Sequence, residues 1–216
     1  VAFKIADFAA AHLTRPKRLY RLNWDQVPET SKTLSVYTAL LQSQSDLAVL
    51  KERVKEAFSA SCLNGDREPE LLFGLLLDLP EAKSESVPQD RELEDGLRRV
   101  IEELNALSDG RFFGFLRRRT LCGNAYCGHE RKRGALLDLC RYLRGKSEAF
   151  TVFGDPDRLQ NVRFLMTLDA DTRLGLLQLQ ELIGILSHPA YRPVIDRTSD
   201  GRPYVRSGHA ILQPLM

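Results

Sequence analysis

The sequence has few cysteines, no long hydrophobic run and little net charge. Its 4 cysteines among 216 residues are too few for the disulfide framework of a small secreted protein, and no signal peptide is recognisable, so we expect a reducing compartment. No apolar run approaches the roughly 18 residues that span a bilayer, which predicts a soluble chain without a transmembrane segment. A net charge of +2 requires neither a nucleic acid nor an anionic membrane as partner. With 43% apolar and 28% charged residues, the main part of the chain is typical of one globular domain.

The first residues form a segment of their own. Apolar residues at helical spacing predict a helix over residues 1–13, and the basic run 14–18 ends it. We therefore expect an N-terminal helix and basic linker over residues 1–17, followed by the main domain over 18–216. The sequence begins without a methionine and stops without a closing element, so we expect a piece of a longer polypeptide whose domain is cut on its C-terminal side. The helix either docks on this domain or continues a membrane-associated helix of the parent protein.

From residue 33 onward, apolar β-rich runs alternate with segments of helical period. This pattern predicts an α/β fold in which helices flank a mostly parallel sheet. The predicted strands cover residues 34–41, 71–77, 112–117 and 162–168, and the predicted helices lie near residues 46–59, 91–107, 130–143 and 176–186. The run 71–77 shows no polar alternation, as is typical of a strand buried on both faces. After residue 187, frequent prolines and glycines predict irregular structure with short antiparallel strands.

Acidic residues directly follow two of the predicted strands. Asp78 comes after the run 71–77, and Asp169 and Asp171 come after the run 162–168. Ligands of an open parallel sheet bind outside the carboxyl ends of its strands. Carboxylates at positions i and i+2 are suited to a hard divalent cation, Mg²⁺ or Mn²⁺, that bridges the two phosphates of a nucleotide sugar. The alternative is a structural turn in which Asp171 caps the following helix.

Three cations, Arg131, Lys132 and Arg133, stand at the start of the predicted helix 130–143. Positive charges at a helix N-terminus oppose the helix dipole, and a bound anion would offset this conflict. A phosphate group is the natural candidate for that anion. The alternative is a basic helix face that is simply exposed to water.

Six blocks of the sequence, in this order, resemble the glycosyltransferase domain of the cyclic β-1,2-glucan synthases. They are LLD (76–78), ERKRGALLDL (130–139), RFLMTLDADT (163–172), HP (188–189), RPVID (192–196) and GHAILQP (208–214). The resemblance covers residues 18–216. It implies a GT-A fold, UDP-glucose as donor, Mg²⁺ or Mn²⁺ as cofactor, a glucan acceptor and inverting transfer of glucose. It also implies a parent enzyme in the bacterial inner membrane, with this domain at its cytoplasmic face.

The same resemblance implies roles for individual residues. Asp169 and Asp171 correspond to the metal and diphosphate motif, Asp78 to a nucleotide contact, and the cluster Arg131, Lys132 and Arg133 to the basic helix start beside them. An inverting transferase needs a carboxylate general base at the acceptor hydroxyl. The family's candidate for this base would come after Met216. We therefore expect no catalytic residue within the chain, which would bind the donor without completing the transfer.

Two alternatives place the function in the basic segment 111–146. Residues 111–116 partly match the RNA-recognition signature, although Phe112 stands where that signature has glycine. Otherwise these residues form a strand that leads into a basic loop at residues 117–119. Cysteines and a histidine are also close enough in sequence for a zinc-stabilised interaction module: Cys122, Cys127, His129 and Cys140. Their spacing is unlike that of structural zinc sites, and we expect Cys140 on the apolar face of the predicted helix 130–143. We expect no nucleic acid partner.

Overall fold

The described part of the chain, residues 19–62 and 68–213 of a computed structural model, divides into two units. The larger unit is Trp24–Ile183. The described residues of the smaller unit are 19–23 and 184–213. The helix predicted over residues 1–13 and the limit predicted at residue 17 lie outside the described residues.

A parallel sheet forms the centre of the larger unit. The strands of this unit are β1 (Thr33–Leu40), β2 (Leu71–Asp78), β3 (Phe112–Arg117), β4 (Thr120–Cys122), β5 (Ala125–Cys127), β6 (Phe150–Phe153) and β7 (Phe164–Asp169). Within the described residues, five of them form one sheet in the order β6-β3-β2-β1-β7, and β4 and β5 form a separate antiparallel hairpin. β1 pairs in parallel with both β2 and β7, β2 pairs in parallel with β3, and β6 pairs antiparallel with β3. The predicted α/β architecture is confirmed.

Helices follow the strands as the sequence pattern predicts. They are α1 (Gln44–Ser61), α2 (Pro88–Asn105), α3 (Arg131–Tyr142) and α4 (Gln178–Ser187). A capping box begins α1, since the Ser43 hydroxyl accepts from the Asp46 amide and the Asp46 carboxylate accepts from the Ser43 amide. In the part of the chain that the structure describes, no helix is both long enough and apolar enough to cross a membrane.

The hydrophobic core lies on both faces of the sheet. Alternate side chains of β2 enter opposite clusters. Leu71, Phe73, Leu75 and Leu77 pack in a cluster with residues of α1 and α2, whereas Leu72 and Leu76 pack in a second cluster with residues of α3. Each fully buried leucine or phenylalanine contributes roughly 1.5–3 kcal/mol. Burial on both faces explains why the sequence of β2 lacks polar alternation and confirms that prediction.

The smaller unit contains an antiparallel hairpin of β8 (Val194–Arg197) and β9 (Pro203–Ser207). This confirms the short antiparallel strands predicted after residue 187. Tyr191 links segments that are distant in sequence. Its hydroxyl accepts a hydrogen bond from the Tyr20 amide at 2.8 Å, and its carbonyl accepts one from the His209 amide at 2.9 Å.

Candidate functional site

The carboxyl ends of β1, β2 and β7 meet at one edge of the sheet. β1 lies between β2, which follows it in sequence, and β7, which comes much later, so the strand order reverses at β1. Open α/β sheets bind ligands at such a reversal. A cavity of about 350 Å³ lies there and is called the strand-end cavity below. Its lining includes Thr38, Leu40, Asp78, Leu79, Pro80, Cys127, Gly128, Arg131, Lys132 and Asp169.

Asp78, the last residue of β2, lines this cavity as a largely buried carboxylate. Its side chain is 12% exposed, and its Oδ1 lies 3.4 Å from Nη1 of Arg117. Burial raises the pKa of Asp78, and the Arg117 guanidinium offsets this only in part. The carboxylate therefore sits in a weakly solvated place where a hydrogen-bond donor of a ligand would be favoured.

Arg117 is a buried side chain that connects several elements of the site through hydrogen bonds. Its side chain is 6% exposed, and its Nε and Nη2 donate to Asp138 of α3 at 3.0 and 2.7 Å. Nη2 also donates to the His129 carbonyl at 3.1 Å, and Nη1 to the Arg131 carbonyl at 3.3 Å. One buried guanidinium thus connects the end of β2, the turn before α3 and α3 itself. We infer that Arg117 is a positioning residue, and sequence reasoning missed it.

The basic loop expected at residues 117–119 is confirmed only in part, because Arg117 is the last residue of β3 and residues 118–119 alone form the loop. Arg117 and Arg119 are buried, and Arg118 is exposed. The guanidinium of Arg119 forms a two-armed ion pair with Asp90, at 2.5 Å from Nη1 and 2.9 Å from Nη2. The sequence hides these pairs because Asp90 and Asp138 are far from the arginines along the chain.

The turn at residues 128–131 depends on close backbone contacts. A Cβ at Gly128 would lie 2.5 Å from Oδ1 of Asp78, and a Cβ at Gly134 would lie 1.9 Å from the His129 carbonyl oxygen. Glu130 and Arg131 have φ angles of 55° and 44°, so the backbone enters α3 through two residues with positive φ angles and turns sharply there. Glycine at 128 is thus a signal for the close approach of this turn to β2, and glycine at 134 for the close approach of α3 to the His129 carbonyl.

The three predicted cations separate in the structure. Arg131 and Lys132 line the strand-end cavity, and Lys132 Nζ forms an ion pair with Asp169 Oδ1. Arg133 is exposed, lies outside the cavity lining and forms an ion pair with Glu130. The structure thus brings two of the three basic side chains into the cavity.

The two carboxylates of the Asp169-x-Asp171 motif also separate. Asp169 is the last residue of β7 and lines the cavity with a side chain that is 62% exposed. Asp171 is exposed in the turn closed by the hydrogen bond from the Thr172 amide to the Asp169 carbonyl, 2.9 Å long, and is not among the lining residues. The alternative role of Asp171 as a helix cap is wrong, because α4 begins only at Gln178.

The residues present fit a divalent cation that is shared with a ligand. Among the described residues, no group of three or more His, Cys, Asp or Glu side chains is arranged to hold a metal by itself. Mg²⁺ sites in nucleotide-binding proteins use one or two carboxylates and complete their coordination with phosphate oxygens and water. Asp169 supplies one such carboxylate at the cavity, and Asp171 follows it in the same turn.

Both alternatives on the basic segment 111–146 conflict with the structure. RNA-recognition sheets stack bases on exposed aromatic rings, whereas Phe112, Phe113 and Phe115 are at most 2% exposed. The zinc set is wrong as well, since its three cysteines and His129 belong to no cluster of three or more metal ligands among the described residues. Cys140 is exposed rather than on the apolar face of α3, which instead buries Ala135 and Leu139.

No protein-family model matches the chain. The chain is similar to the cyclic beta-(1,2)-glucan synthase NdvB of Rhizobium meliloti (strain 1021), with 34% identity over 209 residues. The aligned region covers 93% of this chain and 7% of the length of that relative. The chain is therefore related, over nearly its whole length, to a small part of the cyclic β-1,2-glucan synthases.

Proposed function

We propose that the chain is the donor-binding part of a GT-A-type glycosyltransferase, and that its strand-end cavity takes UDP-glucose together with Mg²⁺ or Mn²⁺. The longer protein would transfer glucose with inversion to a glucan acceptor at the cytoplasmic face of a bacterial inner membrane. One observation carries the proposal. Asp78, Arg131, Lys132 and Asp169 come from three separate segments and line one cavity at the reversal of strand order.

The basic side chains have the right chemistry for the diphosphate. Arg131 and Lys132 are exposed at the cavity, where their donors are not consumed by buried partners. The pairing of Lys132 with Asp169 is a surface ion pair, which is worth at most about 1 kcal/mol. A diphosphate therefore displaces Asp169 from Lys132 at small cost. Arg133, which pairs with Glu130, adds positive charge near the site without a direct contact in this proposal.

Asp169 and Asp171 are proposed as the carboxylates for the divalent cation. Asp169 lies at the cavity, so it makes the contact nearest the diphosphate, and Asp171 is the second carboxylate at the rim. A cation bound there would neutralise charge on the diphosphate as the bond to glucose breaks. Release of Asp169 from Lys132 makes the carboxylate available at the moment the phosphates arrive.

The nucleoside is proposed to lie beside Asp78. This part of the cavity combines the apolar side chains of Leu40, Leu79 and Pro80 with one poorly solvated carboxylate. An apolar wall packs against a base, and a buried acceptor selects a ligand with a hydrogen-bond donor at that point. Uracil and ribose both offer such donors. No residue of this chain is proposed as the general base of the transfer.

Calorimetric titration of the chain with UDP-glucose and Mn²⁺ tests this proposal. We expect binding that weakens strongly when Mn²⁺ is replaced by chelator, and that weakens at least tenfold in Asp169→Asn. Asp95→Asn is the matched control, because Asp95 is an exposed aspartate of α2 outside the cavity lining. Absence of metal-dependent binding by the intact chain would refute the donor site. Equal binding by the Asp169 and Asp95 variants would refute the role of Asp169.

A further inference from the structure

The β4–β5 hairpin carries two thiols on one face. Its register pairs Thr120 with Cys127 and Cys122 with Ala125, so Cys122 and Cys127 occupy diagonal positions whose side chains point to the same side. Both cysteines are partly exposed. Cys122 Sγ also lies 3.8 Å from the Cys127 carbonyl oxygen, so the two residues are in contact across the hairpin. Cys127 lines the strand-end cavity, but neither thiol is assigned a contact with the donor in the proposed function.

The surroundings of the two thiols differ. Cys122 Sγ lies 3.8 Å from Nδ1 of His129 and 3.8 Å from the Thr120 hydroxyl. The hydrogen bond from Cys127 and the contact with His129 lower the pKa of Cys122, whereas the presence of Cys122 raises the pKa of Cys127. Thiolates are the nucleophilic form of cysteine. Cys122 is thus suited to attack an oxidant, and Cys127 is the neighbouring thiol that can reach the oxidised sulfur.

We propose that Cys122 and Cys127 form a site of reversible oxidation, at which a hydroperoxide converts the two thiols into a disulfide. In the first step the Cys122 thiolate attacks one oxygen of hydrogen peroxide, the O–O bond breaks, and hydroxide leaves. Cys122 is then a sulfenic acid. In the second step Cys127 loses its proton to this hydroxide and attacks the Cys122 sulfur. The S–O bond breaks and a second hydroxide leaves, which takes up the proton given up by the Cys122 thiol. The sum is two thiols and one peroxide giving one disulfide and two waters.

Closing this disulfide must move the hairpin. Diagonal positions of an antiparallel pair are about 7–8 Å apart at Cα, whereas a disulfide needs about 4.4–6.8 Å. Disulfides formed under strain are more easily reduced, which suits a transient modification in a reducing compartment.

The movement reaches the strand-end cavity. Cys127 and Gly128 line the cavity, and Gly128 lies directly against Asp78. The backbone of Tyr126 exchanges hydrogen bonds of 2.8 and 2.9 Å with Ala82, so the hairpin is fixed on that side. Strain from the disulfide is therefore transmitted toward Gly128. Resting on the proposed function, this predicts weaker UDP-glucose binding in the oxidised protein.

Mass spectrometry of the whole chain after peroxide treatment tests the site itself. We expect the loss of two hydrogen atoms, a disulfide-linked peptide pair from Cys122 and Cys127, and recovery of the original mass with dithiothreitol. In Cys127→Ser, dimedone should label Cys122 as a sulfenic acid. Cys140, an exposed single thiol on α3, is the internal control and should stay unlabelled at the peroxide dose that converts Cys122.

Two results would overturn the site. One is the absence of the Cys122–Cys127 peptide pair in peroxide-treated protein. The other is equal dimedone labelling of Cys140 and Cys122 in the Cys127→Ser variant, which would mean that Cys122 has no special reactivity. Calorimetry of the oxidised and reduced chain is a separate measurement. If neither form binds UDP-glucose, the proposed function is refuted. Mass spectrometry of the peroxide-treated chain still shows whether Cys122 and Cys127 form a disulfide.

Discussion

Replacing Arg117 with methionine tests the network beneath the strand-end cavity. Methionine occupies similar space but donates no hydrogen bond, so the carboxylates of Asp78 and Asp138 lose their buried cation. The three side chains are 6%, 12% and 19% exposed, and breaking a buried ion pair costs about 3–5 kcal/mol. We expect the free energy of unfolding to fall by about 3 kcal/mol, at the lower end of this range, because both carboxylates keep some access to water. For a chain of this size that lowers the melting temperature by roughly 6–12 °C.

Equilibrium unfolding in urea, followed by tryptophan fluorescence, measures this loss. The chain has 1 tryptophan, and Trp24 packs against the core of the larger unit. Its fluorescence therefore reports on the unit that contains Arg117. The denaturation midpoint should fall while the dependence on urea stays constant, as expected when stability changes and compactness does not.

Neighbouring variants make the result decisive. Arg118→Met changes the adjacent, exposed arginine and should alter the free energy of unfolding by no more than about 0.5 kcal/mol. Arg117→Lys keeps the charge but loses the forked geometry of the guanidinium. Its loss of unfolding free energy should therefore lie between the losses in Arg118→Met and Arg117→Met. A loss below about 1 kcal/mol for Arg117→Met, with an unchanged urea dependence, would refute the role of Arg117 as the anchor of the turn at residues 128–131.

The remaining predictions concern the cavity itself. Gly128→Ala places a Cβ 2.5 Å from Asp78 Oδ1, so we expect about 1–3 kcal/mol less stability in urea unfolding and weaker UDP-glucose binding by calorimetry. Lys132→Gln removes an exposed ion pair with Asp169, so the free energy of unfolding should change by less than about 0.5 kcal/mol, while UDP-glucose binds about tenfold more weakly. Burial raises the pKa of Asp78, so the folded protein holds that proton more tightly than the unfolded chain. Its contribution to stability falls as the pH rises through the raised pKa, and urea titrations from the ordinary aspartate pKa of about 4 upward should show a smaller fall in Asp78→Asn.

Each of these predictions has an outcome that contradicts it. Gly175→Ala is the control for Gly128, because the nearest atom to an added Cβ there lies at an ordinary 3.5 Å; equal losses in the two variants would contradict the steric argument. Unchanged donor affinity in Lys132→Gln would remove this lysine from the phosphate contact. Identical pH dependence in Asp78→Asn and the unaltered chain would show that Asp78 titrates as an ordinary exposed aspartate.

Much of the sheet follows from local sequence. The apolar run of β2 is long and unbroken, so its burial on both faces is readable from the sequence and determines the centre of the fold. By contrast, β4 and β5 have three residues each and β6 has four, which is too short for periodicity to distinguish a strand from a loop. The sequence predicts the elements that depend on many residues and misses those that depend on few.

The site divides in the same way. The sequence places Asp78 and Asp169 directly after two apolar runs; in the structure they are the last residues of β2 and β7, and both line the cavity. The sequence predicts Arg117 in a basic loop, because its burial depends on Asp138, which only the fold brings near it. Arg133 stands in the same basic run as Lys132, but helical geometry turns it to solvent. Charge is visible in a sequence, whereas the direction of a side chain is not.

The parallel pairing of β1 with β7 also sets when the cavity can exist. The Thr38 hydroxyl donates to the Leu168 carbonyl across a separation of 130 residues. Contacts so distant in sequence form slowly, because a long loop must close before they stabilise anything. A growing polypeptide therefore has no complete cavity until Asp169 has been synthesised and β7 has joined the sheet. Any ligand of this cavity consequently recognises the finished sheet, and its binding stabilises the last strand to arrive.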